Sequence, residues 1–231
     1  MFKLVKESLL EISLEGSNLE RMGLGLRYKI KRWLEDMEIK DFTINDDLTI
    51  NVYGIVNLNN KLSEHRLPAF IKFKNVSGIF SCAGNELTSL EGCPKTVGGF
   101  SCNDNMLTSL EGCPEAVRKS FYCAGNMLTS LKGCPDTVSG GFSCSKNKLT
   151  SLKGCPRTVG DSFSCSCNEL TSLEGCPEII SGNFWCYNNR LTYLKGCPKT
   201  VGSKFYCYGN KHKFSEEEVR VLCDVKGEIV I

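Results

Sequence analysis

Cysteine and histidine are the residues of this chain with the widest chemical range, and their spacing decides what they can do. There are fifteen cysteines and two histidines in 231 residues. Thiolates can hold zinc, pair as disulfides or act as nucleophiles. Zinc sites bring cysteines or histidines together in closely spaced sets, whereas here Cys165 and Cys167 form the one C-x-C step, in which only Cys167 is extra to a regular pattern. No zinc site is expected. A nucleophile needs a base within reach; His65 and His212 stand alone, no G-x-S-x-G, P-loop or H-E-x-x-H sequence occurs, and Cys223-Asp224 is an isolated dipeptide. The expectation is therefore a protein without catalytic residues, metal or cofactor. A disulfide scaffold fits poorly with an odd cysteine count and a chain of this length.

The cysteines fall instead into two columns. One set follows a phenylalanine by two residues: Cys82, Cys102, Cys123, Cys144, Cys165, Cys186 and Cys207, after Phe80, Phe100, Phe121, Phe142, Phe163, Phe184 and Phe205. The phenylalanines are 20 residues apart once and 21 thereafter. The second set sits in Gly-Cys-Pro: Cys93, Cys113, Cys134, Cys155, Cys176 and Cys197. Between them recur an asparagine (Asn85, Asn105, Asn126 and so on to Asn210) and a Leu-Thr-Ser-Leu step, and a Val or Ile leads into the next Phe. In a strand, residues two apart share a face, so Phe and Cys point inward together and the residues beside them point outward. The asparagine is placed to bridge the backbone of neighbouring coils. A coil of this length, with Gly and Pro in its return limb, has no room for a full outer helix, so the convex side is expected to be extended or 3₁₀-like. Neighbouring strands lie ~4.8 Å apart, within reach of a disulfide, so spacing alone leaves bridging open beside the reading of a buried thiol ladder.

The unit V-x-x(x)-F-x-C-x-x-N-x-L-T-S-L-x-G-C-P resembles the leucine-rich repeat, with Val, Phe and Cys in apolar slots. Its short period and Leu-Thr-Ser-Leu-x-x-x-Pro turn are most similar to the bacterial type found in secreted enterobacterial effectors, although Gly-Cys replaces the usual Pro-Leu. The likeness covers about residues 56–214. It implies an α+β repeat solenoid, a curved parallel sheet with an irregular convex side. The effectors carry a separate ubiquitin-ligase domain, for which this chain is expected to have no room. The opening residues also resemble repeat proteins of tailed-phage genomes, which implies a phage or bacterial factor that engages a host or immune protein.

Elements at either end are expected to cap the stack. Leu26, Ile30, Trp33, Leu34 and Met37 form the stripe of an amphipathic helix over about 25–38. Short strands follow at 42–44 and 48–52, giving an N-terminal cap of residues 1–55; Val56, Leu58, Leu62 and Pro68 then make a degenerate first coil. Ser215 and Glu218 form a capping-box signature for a helix at 216–222, followed by a strand at 228–231, so 215–231 is the C-terminal cap.

The outward positions of the strands are small in the early coils, among them Ser81, Ala83, Ser143, Ser145, Ser164 and Ser166, with Tyr122 as the exception. The last two coils carry Trp185 and Tyr187 beside Tyr206 and Tyr208, an aromatic block that is expected either to lie open or to be covered by the C-terminal helix. Between Asn183 and Lys213 stand Arg190, Lys195, Lys199, Lys204, Lys211 and Lys213 with no acidic residue. Aromatics beside bases suit an acidic protein surface, with Tyr122, Trp185, Tyr187, Arg190, Lys204, Tyr206, Tyr208 and Lys211 as contact residues. They also suit single-stranded nucleic acid or a nucleotide. A structural virion or assembly component is a third reading. The net charge of +2 gives no global attraction to nucleic acid or membrane. With no secretory h-region in Met1 to Ile12 and no long apolar run, a cytoplasmic location and no membrane contact are expected.

Overall fold

The computed structural model describes residues 18–231 and forms a parallel β-solenoid of about nine turns. Met1 to Ile12, on which the phage likeness and the reading of the opening segment rest, lie outside the described residues.

Two ladders of parallel strands run the length of the stack. In the first, each phenylalanine pairs with that of the next coil, from Val56 through Phe80, Phe100, Phe121, Phe142, Phe163, Phe184 and Phe205 to Ile229. In the second, Val76, Val97, Val117, Val138, Val159, Ile180, Val201 and Val225 pair likewise. Coil length sets how the ladders connect. Two residues separate Val97 from Phe100 and the strand runs unbroken over Thr96–Ser101; three separate Val117 from Phe121, and the strand splits into Ala116–Val117 and Phe121–Tyr122. The added residue cannot stay in register and is pushed out as a bend.

The core is the inward column of Phe, Cys, Leu and Val. All seven repeat phenylalanines are at most 1% exposed, and successive rings lie 5.0 to 6.0 Å apart between centroids. Each ring is completed by the coils above and below. Burying one contributes roughly 1.5 to 3 kcal/mol, so stability is collective. The return limb contains turns and bends and no helix. Its glycines hold it against the preceding coil: Gly196 has φ +80°, and a Cβ there would collide with the backbone nitrogen of Glu174.

The asparagine column satisfies the bend, as its position predicts. The Asn126 amide nitrogen donates to the Cys102 carbonyl (3.0 Å) and the Cys123 carbonyl (3.2 Å), while its oxygen accepts from the Leu107 N–H (3.0 Å). The same links recur at Asn147, Asn168 and Asn189.

Both ends are covered. Helix α1 spans Asn18–Asp36, longer at its start than the apolar stripe indicates, and ends in a Schellman turn with Glu38 at φ 61°. The Ile39 N–H there returns to the Leu34 carbonyl and both side chains are buried. Strands Phe42–Ile44 and Ile50–Val52 pair antiparallel. Helix α2 covers Glu216–Leu222 with both bonds of the Ser215–Glu218 capping box formed. After it, Asp224–Val225 and Ile229–Val230 continue the two ladders as a last rung, with Ile229 in the phenylalanine slot.

Candidate functional site

All fifteen cysteines are free thiols. Those of the Phe-x-Cys column are at most 2% exposed, and burial pushes Cys102, Cys123, Cys144, Cys165, Cys186 and Cys207 up in pKa, Cys144 to about 12 and Cys207 to about 11. In the Gly-Cys-Pro column burial and then Glu115 raise Cys113 to about 12. Such thiols stay protonated at neutral pH and behave as small apolar side chains. Cys167 differs, standing half-buried with φ 56°. Its coil position is left-handed throughout, being held by Gly84, Asp104, Gly125, Lys146, Asn188 and Gly209 in the other repeats. That turn ends the strand and parts Cys167 from Cys165. Among the described residues no group of three or more His, Cys, Asp or Glu side chains is placed to hold a metal ion. Nor is any helix there long and apolar enough to cross a membrane.

The open face of the Phe ladder carries the outward side chains. Parallel pairing sets Trp185 opposite Tyr206. Their rings stack at 5.8 Å and 18°, and those of Tyr187 and Tyr208 at 4.6 Å and 8°. Tyr208 is 40% exposed, Tyr122 is 39% exposed, and the other three aromatics are half-buried, largely by one another. Helix α2 does not cover the block; it lies against the return limb, where Tyr193, Phe214 and Leu222 line one hollow of about 520 Å³. Burial by neighbouring aromatics and then the adjacent Tyr187 hydroxyl raise the Tyr208 phenol pKa, so it stays a neutral donor.

The basic edge is more balanced than the local sequence indicates. Arg190 pairs with Glu169 (3.0 Å), Lys195 with Glu174 (2.9 Å), Lys199 with Glu178 (2.8 Å) and Lys204 with Glu228 (2.8 Å). Each acid comes from an adjoining coil or from the last rung. Among the described residues Lys211 and Lys213 form no ion pair. Of the predicted contact residues, the aromatics and Lys204 thus share one end of the face, while Tyr122 stands three coils away from Trp185.

Between Tyr122 and Trp185 lies a trough of about 570 Å³, floored by Ser143, Ser145, Ser164 and Ser166. The serine hydroxyls are linked, Ser143 to Ser145 at 2.7 Å, Ser145 to Ser164 at 2.9 Å and Ser164 to Ser166 at 3.2 Å. The sequence marks these serines as small outward residues and gives no sign of their hydroxyl linkage. A second omission is Tyr193, 52% exposed beside Val221 and Leu222. It occupies a slot that holds Ser in the five earlier coils, and that exchange was a readable signal.

Neither a family model nor a curated protein sequence matches this chain.

Proposed function

We propose that the protein is a non-catalytic interaction scaffold that captures a partner protein on the open face of its sheet. The observation that carries this reading is the pair of aromatic stacks, Trp185 on Tyr206 and Tyr187 on Tyr208, held in register on an uncovered face. Aromatic side chains on a rigid frame offer large contact area at little conformational cost, and Trp and Tyr dominate binding hot spots. The cross-coil ion pairs reduce the free positive charge near the block to Lys211 and Lys213, so the aromatics supply the affinity and a partner's acidic groups meet those lysines at the margin. The same neutralisation weighs against single-stranded nucleic acid, whose binding depends on phosphate neutralisation.

Two finer assignments accompany this proposal. The repeat is of the short bacterial leucine-rich type, and the biological setting is a cytoplasmic phage or bacterial factor that engages a host or immune protein. The first is supported by turns of about 21 residues in a parallel solenoid; the second rests on sequence likeness in the opening residues.

Affinity capture from bacterial host lysate tests the scaffold role. Wild type retains a partner that the Trp185→Ala/Tyr206→Ala variant loses, with unchanged circular dichroism. Each truncation at a hot spot costs about 2 kcal/mol or more, roughly 30-fold in Kd. Retention of the same partner by the double variant refutes the site.

A further inference from the structure

The trough between Tyr122 and Trp185 has a chemistry distinct from that of the aromatic block beside it. Tyr206 covers one face of the Trp185 ring, stacked at 5.8 Å and 18°. The opposite face looks over the preceding coil, onto the serine floor, and forms one wall. Tyr122 forms the other, its hydroxyl leaning toward Gly141, where the lack of a side chain leaves room for it. Three strand spacings of ~4.8 Å separate the walls, roughly 14 Å in all.

The floor between the walls is rich in hydroxyl groups with unused capacity. Four serine hydroxyls carry four donors and eight acceptor sites. Their three mutual bonds use three of each, and the Ser145 N–H takes one more acceptor on Ser143 at 3.5 Å. Half of the acceptor sites stay unused; Ser166 is buried at the base of the ladder, so a ligand that brings O–H donors reaches those on the half-buried Ser143, Ser145 and Ser164. Each hydroxyl also rotates, so the network can reverse direction to suit the ligand. At the rim stand the carboxylates of Asp104 and Asp161 and the ammonium of Lys146, a balance of one negative charge. That balance disfavours phosphodiesters and sulfates and attracts a cationic group to the same modest, solvent-screened extent, so the hydroxyl floor and the indole wall, not the charge, point to a neutral chain of hydroxyls.

We propose that this trough binds a neutral carbohydrate chain, with one sugar ring laid against the free face of Trp185 and its hydroxyl groups paired with the serine ladder. A pyranose has the two surfaces the trough asks for: a face of polarised C–H bonds that suits the negative π-face of an indole, and an edge of groups that both donate and accept. This inference goes beyond the protein-capture reading, because it uses the serine floor and the opposite face of Trp185.

The test is a glycan array of neutral, sialylated and sulfated oligosaccharides probed with the labelled full chain. The neutral glycans retained are then titrated by calorimetry against wild type and two variants. Ser145→Leu fills the floor without touching the aromatic stacks; Tyr122→Ala removes an exposed wall and serves should Ser145→Leu fail to fold. The expected result is retention of neutral glycans, with affinity reduced about tenfold or more in whichever variant keeps the wild-type circular dichroism. Partner capture by Ser145→Leu stays intact, which separates this site from the block. Four results overturn the proposal: an array without neutral hits, retention of sulfated or sialylated glycans only, displacement by oligo(dT), or neutral-glycan affinity that a folded variant leaves unchanged.

Discussion

Replacing Asn126 by Ala removes one rung of the asparagine column, and the hydrogen bonds around it fix the cost. The Cys102 and Cys123 carbonyls each lose one of two amide donors, since Asn105 still serves Cys102 and Asn147 still serves Cys123. The buried Leu107 N–H loses its one partner, the Asn126 oxygen at 3.0 Å. An orphaned buried donor costs about 1–3 kcal/mol, and each net bond lost from a carbonyl adds about 0.5–1.5 kcal/mol. The sum is about 2–6 kcal/mol of destabilisation. With a urea slope of ~3 kcal/mol/M for a chain of this size, the unfolding midpoint falls by roughly 0.7–2 M. Asn126→Asp should cost at least as much, because a carboxylate cannot donate to the two carbonyls. Asn210, half-exposed at the end of the column, has a smaller role, and Asn210→Ala should cost about 1 kcal/mol. Urea melts followed by circular dichroism, with amide exchange at Leu107, read these effects. A loss below about 0.5 kcal/mol for Asn126→Ala would refute the view that this column holds the coils together.

Three further outcomes follow from the same geometry. Gly196→Ala places a Cβ against the Glu174 backbone at positive φ and should destabilise by about 1–3 kcal/mol in thermal or urea melts, whereas a neutral effect contradicts the tight return limb. Iodoacetamide on the native protein, read by peptide mass spectrometry, should label the half-buried Cys167 well before Cys102, Cys123, Cys144, Cys165 and Cys186, which become reactive only on unfolding. Hydrogen bonds from the Ser215 backbone, then His212 and the Ser215 hydroxyl, hold the Glu218 carboxyl below its ordinary value of 4.5. A depressed carboxylate contributes its stability above the unfolded pKa and loses it as pH falls through the folded one. Amide protection of α2 should therefore drop as pH falls below about 4.5, and Glu218→Gln should remove that dependence.

Much of the fold was legible because its period is so regular. Phe and Cys two apart, with Asn three further on, dictate a strand and a buried bend, and both ladders keep that register. The helix at 216–222 was readable from Ser215 and Glu218 alone. Less visible was the split of strands, which depends on one residue between Val117 and Phe121. The charge pattern was misread for a geometric reason. Residues near in sequence lie along one coil, while an ion pair forms between coils, so Arg190 finds Glu169 and Lys199 finds Glu178, one full period away. Charges read at a spacing of 21 residues would have disclosed both pairs. The trough was hidden because it depends on which way the Trp185 ring turns, and no spacing rule gives a ring's orientation.

Register is the property on which the fold and both binding proposals depend: a slip of one residue would send Trp185 inward and Phe184 outward. Acrylamide quenching of Trp185 emission in a Trp33→Phe background reads this directly, with the single indole reporting its own exposure. Emission that is readily quenched in the folded protein, and altered by Tyr206→Ala through loss of the stack, is the expected result. Quenching absent until the chain unfolds, with no response to Tyr206→Ala, would place Trp185 in the interior and contradict the open aromatic face.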